Sequence, residues 1–141
     1  MENNLEATIN KISYEIVNNK IINASEINKM LGVLATDGAY AWWIYTNVKI
    51  GSNTVKLMRI ILCEDIIKNI FKNILENLKN ENTDYFLCKE NSENEKDVLE
   101  SFEKFFLLLS ADLHQLLFFK DVLERILIYA RYHAKAMEDL K

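Results

Sequence analysis

Ala111 to Leu140, ADLHQLLFFKDVLERILIYARYHAKAMEDL, is the stretch that decides the fold. Wound at about 3.6 residues per turn, it gathers Leu116, Phe119, Val122, Leu123, Ile126, Leu127, Tyr129, Ala130, Ala134, Met137 and Leu140 on one half of its circumference. The other half carries His114, Lys120, Asp121, Glu124, Arg125, Arg131, Tyr132, Lys135, Glu138 and Asp139. Leu113, Leu117 and Ile128 interrupt that polar half and offer a second surface a place to dock. A continuous helix over this stretch is about 45 Å long, so it forms the spine of a small domain or projects from it.

Nothing upstream argues for another fold class. The chain has 141 residues with no proline and three glycines, so it lacks most of the residues that interrupt helices. We therefore expect an all-α chain: one domain over residues 1–141, a bundle of five or six helices closed by a long C-terminal one. No apolar run approaches the ~18 residues needed to cross a bilayer. The opening residues MENNLEATINK are polar and acidic where a secretory signal is basic and then apolar, so the expected location is the cytoplasm. A net charge of −4 argues against coating nucleic acid over the whole surface but leaves room for one basic face.

Working backwards, Leu5, Ile9, Ile12 and Ile16 predict a first amphipathic helix from Leu5 to Lys20. Ser25 is placed to cap a second, which runs to Asp37-Gly38. The segment Ala39 to Tyr45 is apolar nearly all round, which fits burial on several sides or contact with a partner. Val48 to Asn53 reads as a loop, and a long helix follows from Thr54 to Lys79 with a possible break near Glu64. Asn80 to Glu95 is polar and reads as a mobile, cleavable loop. Lys96 to Leu109 resumes helix, and Ser110 offers a cap for the closing one.

Signals for chemistry are sparse. No Gly-rich phosphate loop, HExxH or GxSxG motif occurs. Cys63 and Cys88 have no CxxC pairing or nearby histidine and read as packing residues, with neither a zinc site nor a disulfide framework suggested. His133 falls within the apolar arc of the closing segment, where a hydrogen-bonded core histidine is the ordinary role, and His114 lies on the surface. Adjacent acids such as Glu64-Asp65 diverge by about 100° on a helix and cannot serve one substrate atom. No catalytic residue, metal site or cofactor is expected.

What remains is surface. Lys120, Arg131 and Lys135 fall within a strip roughly 60° wide on the closing helix, a geometry suited to a phosphate backbone. The same strip is equally consistent with a solvated face, Lys120 pairing with Glu124 and Lys135 with Glu138.

Two segments together resemble the small all-helical subunit of type III-B (Cmr-type) CRISPR effector complexes. The first is Lys29-Met30-Leu31-Gly32-Val33-Leu34-Ala35-Thr36-Asp37-Gly38-Ala39-Tyr40-Ala41-Trp42-Trp43, with Gly32 where that family commonly has proline. The second runs from Lys120-Asp121-Val122-Leu123 to Ile128-Tyr129-Ala130-Arg131-Tyr132. The resemblance implies a non-catalytic structural subunit of an RNA-guided antiviral defence complex. Such a subunit lines the guide RNA/target RNA duplex and contacts copies of itself and the other effector subunits, with no membrane and no small-molecule substrate. Lys29, Lys120 and Arg131 match basic positions of the family pattern and become candidate RNA contacts, while Lys135 joins them by geometry alone. The rival expectation is a helical adaptor or regulator without nucleic acid, dimerising through Trp42, Trp43 and Tyr45 or through the apolar intrusions of the closing helix.

Overall fold

The computed structural model describes residues 4–78 and 95–139. Among them the chain is helical throughout and contains no strand. The helices are α1 Leu5–Asn18, α2 Ala24–Asp37, α3 Ala39–Ile50, α4 Asn53–Leu62, α5 Asp65–Ile70, α6 Lys72–Asn77, α7 Glu95–Ser110 and α8 Leu113–Asp139. None is long and apolar enough to cross a membrane. The expected loop Asn80 to Glu95 lies outside the described residues except at Glu95, which opens α7.

The closing helix is the spine. α8 packs against α1, α2, α3 and α7 and buries Phe119, Val122, Leu123, Ile126, Leu127, Ala130 and Ala134. At the far end the arc opens: Met137 is 41% exposed, and Leu140 lies outside the described residues. α1 sets Ile9, Ile12 and Ile16 against the spine and the start of the α4–α5 segment. At the centre Phe106 stacks on Trp43 at 5.0 Å between ring centroids, with Phe105 and Phe119 edge-on at 5.3 and 5.5 Å. These rings, from α3, α7 and α8, belong to one buried apolar cluster. Edge-to-face and offset arrangements at such distances each add about 0.5–1.5 kcal/mol beyond the area they bury.

Several boundaries differ from the sequence reading, each for a local reason. α2 is capped by Asn23, not Ser25: the Asn23 side chain accepts from the Glu26 N–H at 2.8 Å, and Glu26 accepts from the Asn23 N–H at 3.0 Å. This reciprocal capping box satisfies two otherwise orphaned donors, which a serine in the first turn cannot do. Ser110 instead donates to the Phe106 carbonyl inside α7, and Asp112 caps α8 by accepting from the Gln115 N–H at 3.1 Å. The expected Val48–Asn53 loop shrinks to the turn Gly51-Ser52, because α3 continues to Ile50 and α4 opens at Asn53. The long helix expected from Thr54 to Lys79 breaks at Cys63-Glu64, where a break was expected, and a second time at Phe71, where none was. Ile67, Phe71, Ile74, Leu75 and Leu78, which share one arc at helical spacing, are all buried across the second break. Gly38 joins α2 to α3 with φ +94 and ψ −178, a backbone conformation essentially confined to glycine.

Cys63 is disulfide-bonded, which corrects its reading as a packing thiol; Cys88 lies outside the described residues.

Two residues past the end of α1, Lys20 has a φ of 58, in the left-handed region. The Lys20 N–H bonds to the Val17 carbonyl and the Ile21 N–H to the Ile16 carbonyl, the paired bonds of a Schellman cap. A side chain there costs about 1 kcal/mol that glycine avoids. Lys20→Gly is therefore expected to raise stability by about 1 kcal/mol, read as a higher urea midpoint at constant m value; a drop would show that the Lys20 side chain does more than occupy the cap.

Candidate nucleic-acid interface

The amphipathic packing of α8 on α2 brings two of the four basic candidates together. Arg131 is half-buried beside α2 and donates through Nη1 to the Asn28 side-chain oxygen at 3.3 Å. Its guanidinium carbon lies 5.8 Å from the centroid of the Tyr132 ring. Lys135, one turn further along, is exposed. Together Ala24, Ser25, Asn28, Arg131, Tyr132, Lys135 and Glu138 line a groove of about 570 Å³. Tyr132 is 62% exposed, the largest exposure of any aromatic side chain among the described residues.

The other two candidates lie outside this groove. Lys29 is exposed on α2, next in sequence to Asn28. Lys120 is half-buried on α8, about 16 Å along the axis from Arg131. Glu124 lies between them on the same side of the helix, so the strip is not continuously basic. Neither expected neutralising pair forms: among the described residues no ion pair joins Lys120 to Glu124 or Lys135 to Glu138. The ion pairs run between helices instead. Lys11 meets Glu64 at 3.3 Å, and Arg125 meets Glu6, whose second oxygen accepts from the Tyr129 hydroxyl at 3.2 Å. All of these groups keep substantial access to water, so each pair is worth little to stability and serves mainly to fix α1 against its neighbours.

His133 is half-buried, as its position in the apolar arc predicted, but no hydrogen bond reaches it among the described residues. Its ring meets Tyr14 of α1 edge-on at 6.0 Å. No group of three His, Cys, Asp or Glu among the described residues is placed to hold a metal ion.

The tryptophans of the rival reading are internal. Trp42 is 0% and Trp43 1% exposed, so both belong to the core, while Tyr45 is half-buried and its neighbour Ile44 is exposed. Of the apolar intrusions on α8, Leu113 and Leu117 are exposed and Ile128 is half-buried.

Glu103, a half-buried carboxylate on α7 that joins two side chains of α3, carries no motif and was missed. From α7 its two carboxylate oxygens accept from the Tyr40 hydroxyl and, at 2.6 Å, from the Trp43 indole N–H. The bond to Glu103, partial burial and the carboxylate charge together push the Tyr40 phenol above its ordinary range. The one available hint is that Glu103 and Lys104 interrupt the apolar run from Phe102 to Leu109. Four further polar atoms, Trp42 Nε1, Thr46 Oγ1, Thr54 Oγ1 and Gln115 Oε1, are buried without a hydrogen-bond partner among the described residues.

Searches against family models, curated proteins and solved structures found no match for this chain.

Proposed function

We propose that this protein is an RNA-associated, non-catalytic helical subunit, of the kind found in type III-B CRISPR effector complexes, working in the cytoplasm beside other subunits of the assembly. The observation that carries the RNA part is the groove between α2 and α8, where Arg131 and Lys135 stand unneutralised beside the exposed Tyr132 ring. Cations clustered next to an open aromatic ring suit a phosphodiester chain, because phosphate contacts supply affinity and rings supply sequence-tolerant contacts to bases. The assembly rests on the resemblance carried by Lys29–Trp43 and Lys120–Tyr132. In this reading Lys29 extends the face along α2, and Lys120 contacts RNA separately, further along the spine.

Arg131→Glu combined with Lys135→Glu tests the face. Both side chains reach the surface, so the fold should persist by far-UV circular dichroism while affinity for a labelled RNA strand falls at least tenfold at low salt. The slope of log K against log salt should shrink in magnitude by roughly one to two, as two phosphate contacts are lost. Lys120→Glu alone should do less. Equal RNA binding by the double variant across a salt series would remove this face from consideration.

One observation favours a second reading, association through apolar surface. Leu107 on α7 and Leu113, Leu117 and Phe118 on α8 are 53%, 66%, 54% and 36% exposed around the turn that joins the two helices. In this adaptor reading a second copy covers them. Light scattering distinguishes the two: a dimer abolished by Leu113→Glu supports the adaptor, and a strict monomer removes it.

A further inference from the structure

We propose that the groove between α2 and α8 holds an unpaired RNA strand, one nucleotide deep, with a phosphate on Arg131 and Lys135 and a base stacked on Tyr132. The inference rests on the reading of this face as RNA-binding, and at this face it replaces the duplex expected from the resemblance with single-stranded RNA.

Size and chemistry carry the argument. At about 570 Å³ the groove falls within the range of small-ligand sites and is large enough for a nucleotide. Its two walls differ in chemistry. Ser25 and Asn28, on the first turns of α2, supply a hydroxyl and an amide, while the α8 wall supplies Arg131 and Lys135. Asn28 already accepts from Arg131, which holds the guanidinium at the groove when no ligand is present. Such pre-positioning lowers the ordering cost of binding.

Tyr132 decides between strand and duplex. Its ring is 62% exposed, with the Arg131 guanidinium carbon 5.8 Å from its centroid and the groove at its side. An apolar ring left open to water beside two cations fits a ligand that presents both charge and a flat π-face. A duplex presents charge but hides its base faces in the stack. An unpaired strand presents both. Glu138, which also lines the groove, repels phosphate and leaves Arg131 and Lys135 as its anchors.

The test is a fluorescence anisotropy titration of the full chain with a short labelled polyuridylate strand and with a blunt RNA duplex of the same length. The wild type should bind the strand more tightly. Tyr132→Leu should lose roughly five- to a hundredfold in strand affinity, the usual range for one stacked base, and leave duplex affinity unchanged. Tyr132→Phe should retain wild-type strand binding, since stacking needs the ring and not the hydroxyl. If Tyr132→Leu binds the strand normally while Arg131→Glu with Lys135→Glu does not, the face binds RNA but the stacked-base inference is overturned. If polyglutamate displaces the strand as effectively as unlabelled polyuridylate, the groove is a general anion site and the inference also falls. If the wild type binds neither RNA at low salt, the inference fails together with the RNA reading on which it rests.

Discussion

Phe106→Ala is expected to cost about 3–5 kcal/mol of stability, the largest effect of any single substitution considered for this protein. The ring is fully buried and touches Trp43 at 5.0 Å, Phe105 at 5.3 Å, Phe119 at 5.5 Å and Trp42 at 6.3 Å. Those neighbours belong to α3, α7 and α8, so truncation leaves a cavity where three helices converge. Large aromatic neighbours cannot collapse into such a space without leaving their own rotamers, and the cost should therefore lie at the upper end of the range. A domain of this size has about 5–15 kcal/mol in total, so the variant approaches marginal stability. Urea denaturation followed by tryptophan fluorescence checks this, since both tryptophans line the affected site. The midpoint should fall steeply, whereas Leu107→Ala next door, at a position 53% exposed, should change it little. A loss below about 1.5 kcal/mol for Phe106→Ala would mean that the cluster repacks freely.

The contrast between Phe106 and Glu103, one turn apart on α7, shows what sequence can and cannot reveal here. Helical periodicity depends only on where apolar residues recur, so the buried face of α8, the stripe Ile9-Ile12-Ile16 and the inward phenylalanines of α7 were all legible. So was the all-α class, because a chain without proline offers few ways to stop a helix. Caps were less legible. Asn23 and Ser25 are both capable, and only the reach of Glu26 back to the Asn23 N–H decides between them. Tertiary polar partners were not legible at all. Nothing in the spacing of Tyr40, Trp43 and Glu103 announces that they meet, and nothing in the sequence separates Arg131 and Lys135, which share a groove with α2, from Lys120, which does not. The helix carries all three on one side, but the packing of a second helix decides which become a site.

Glu103→Leu is expected to cost about 2–4 kcal/mol, and the cost should depend on pH. Among the described residues the carboxylate is the only acceptor for the Trp43 indole N–H, on a side chain 1% exposed, so its removal strands a buried donor that water cannot reach. The Tyr40 hydroxyl, in contrast, is on a half-buried side chain and can turn toward solvent. Most of the cost therefore belongs to Trp43. Glu103→Gln should be milder, about 1 kcal/mol, because its amide oxygen still accepts from the indole. The pH arm follows from Tyr40. Its ordinary value is 10.0, and in the folded state the hydrogen bond to Glu103 raises it, because the ionised phenolate would lose that bond and face a carboxylate. A group whose folded value is raised contributes stability that is complete below the unfolded value and disappears as pH climbs through the folded one. The gap between wild type and Glu103→Gln in urea midpoint should thus be constant from neutral pH to about 9 and narrow above about 10. Tyr40→Phe should abolish that narrowing while leaving the Trp43 bond intact. A gap that stays constant into strong alkali would show that the phenol does not contribute to the clasp, and that Glu103 ties α7 to α3 through Trp43 alone.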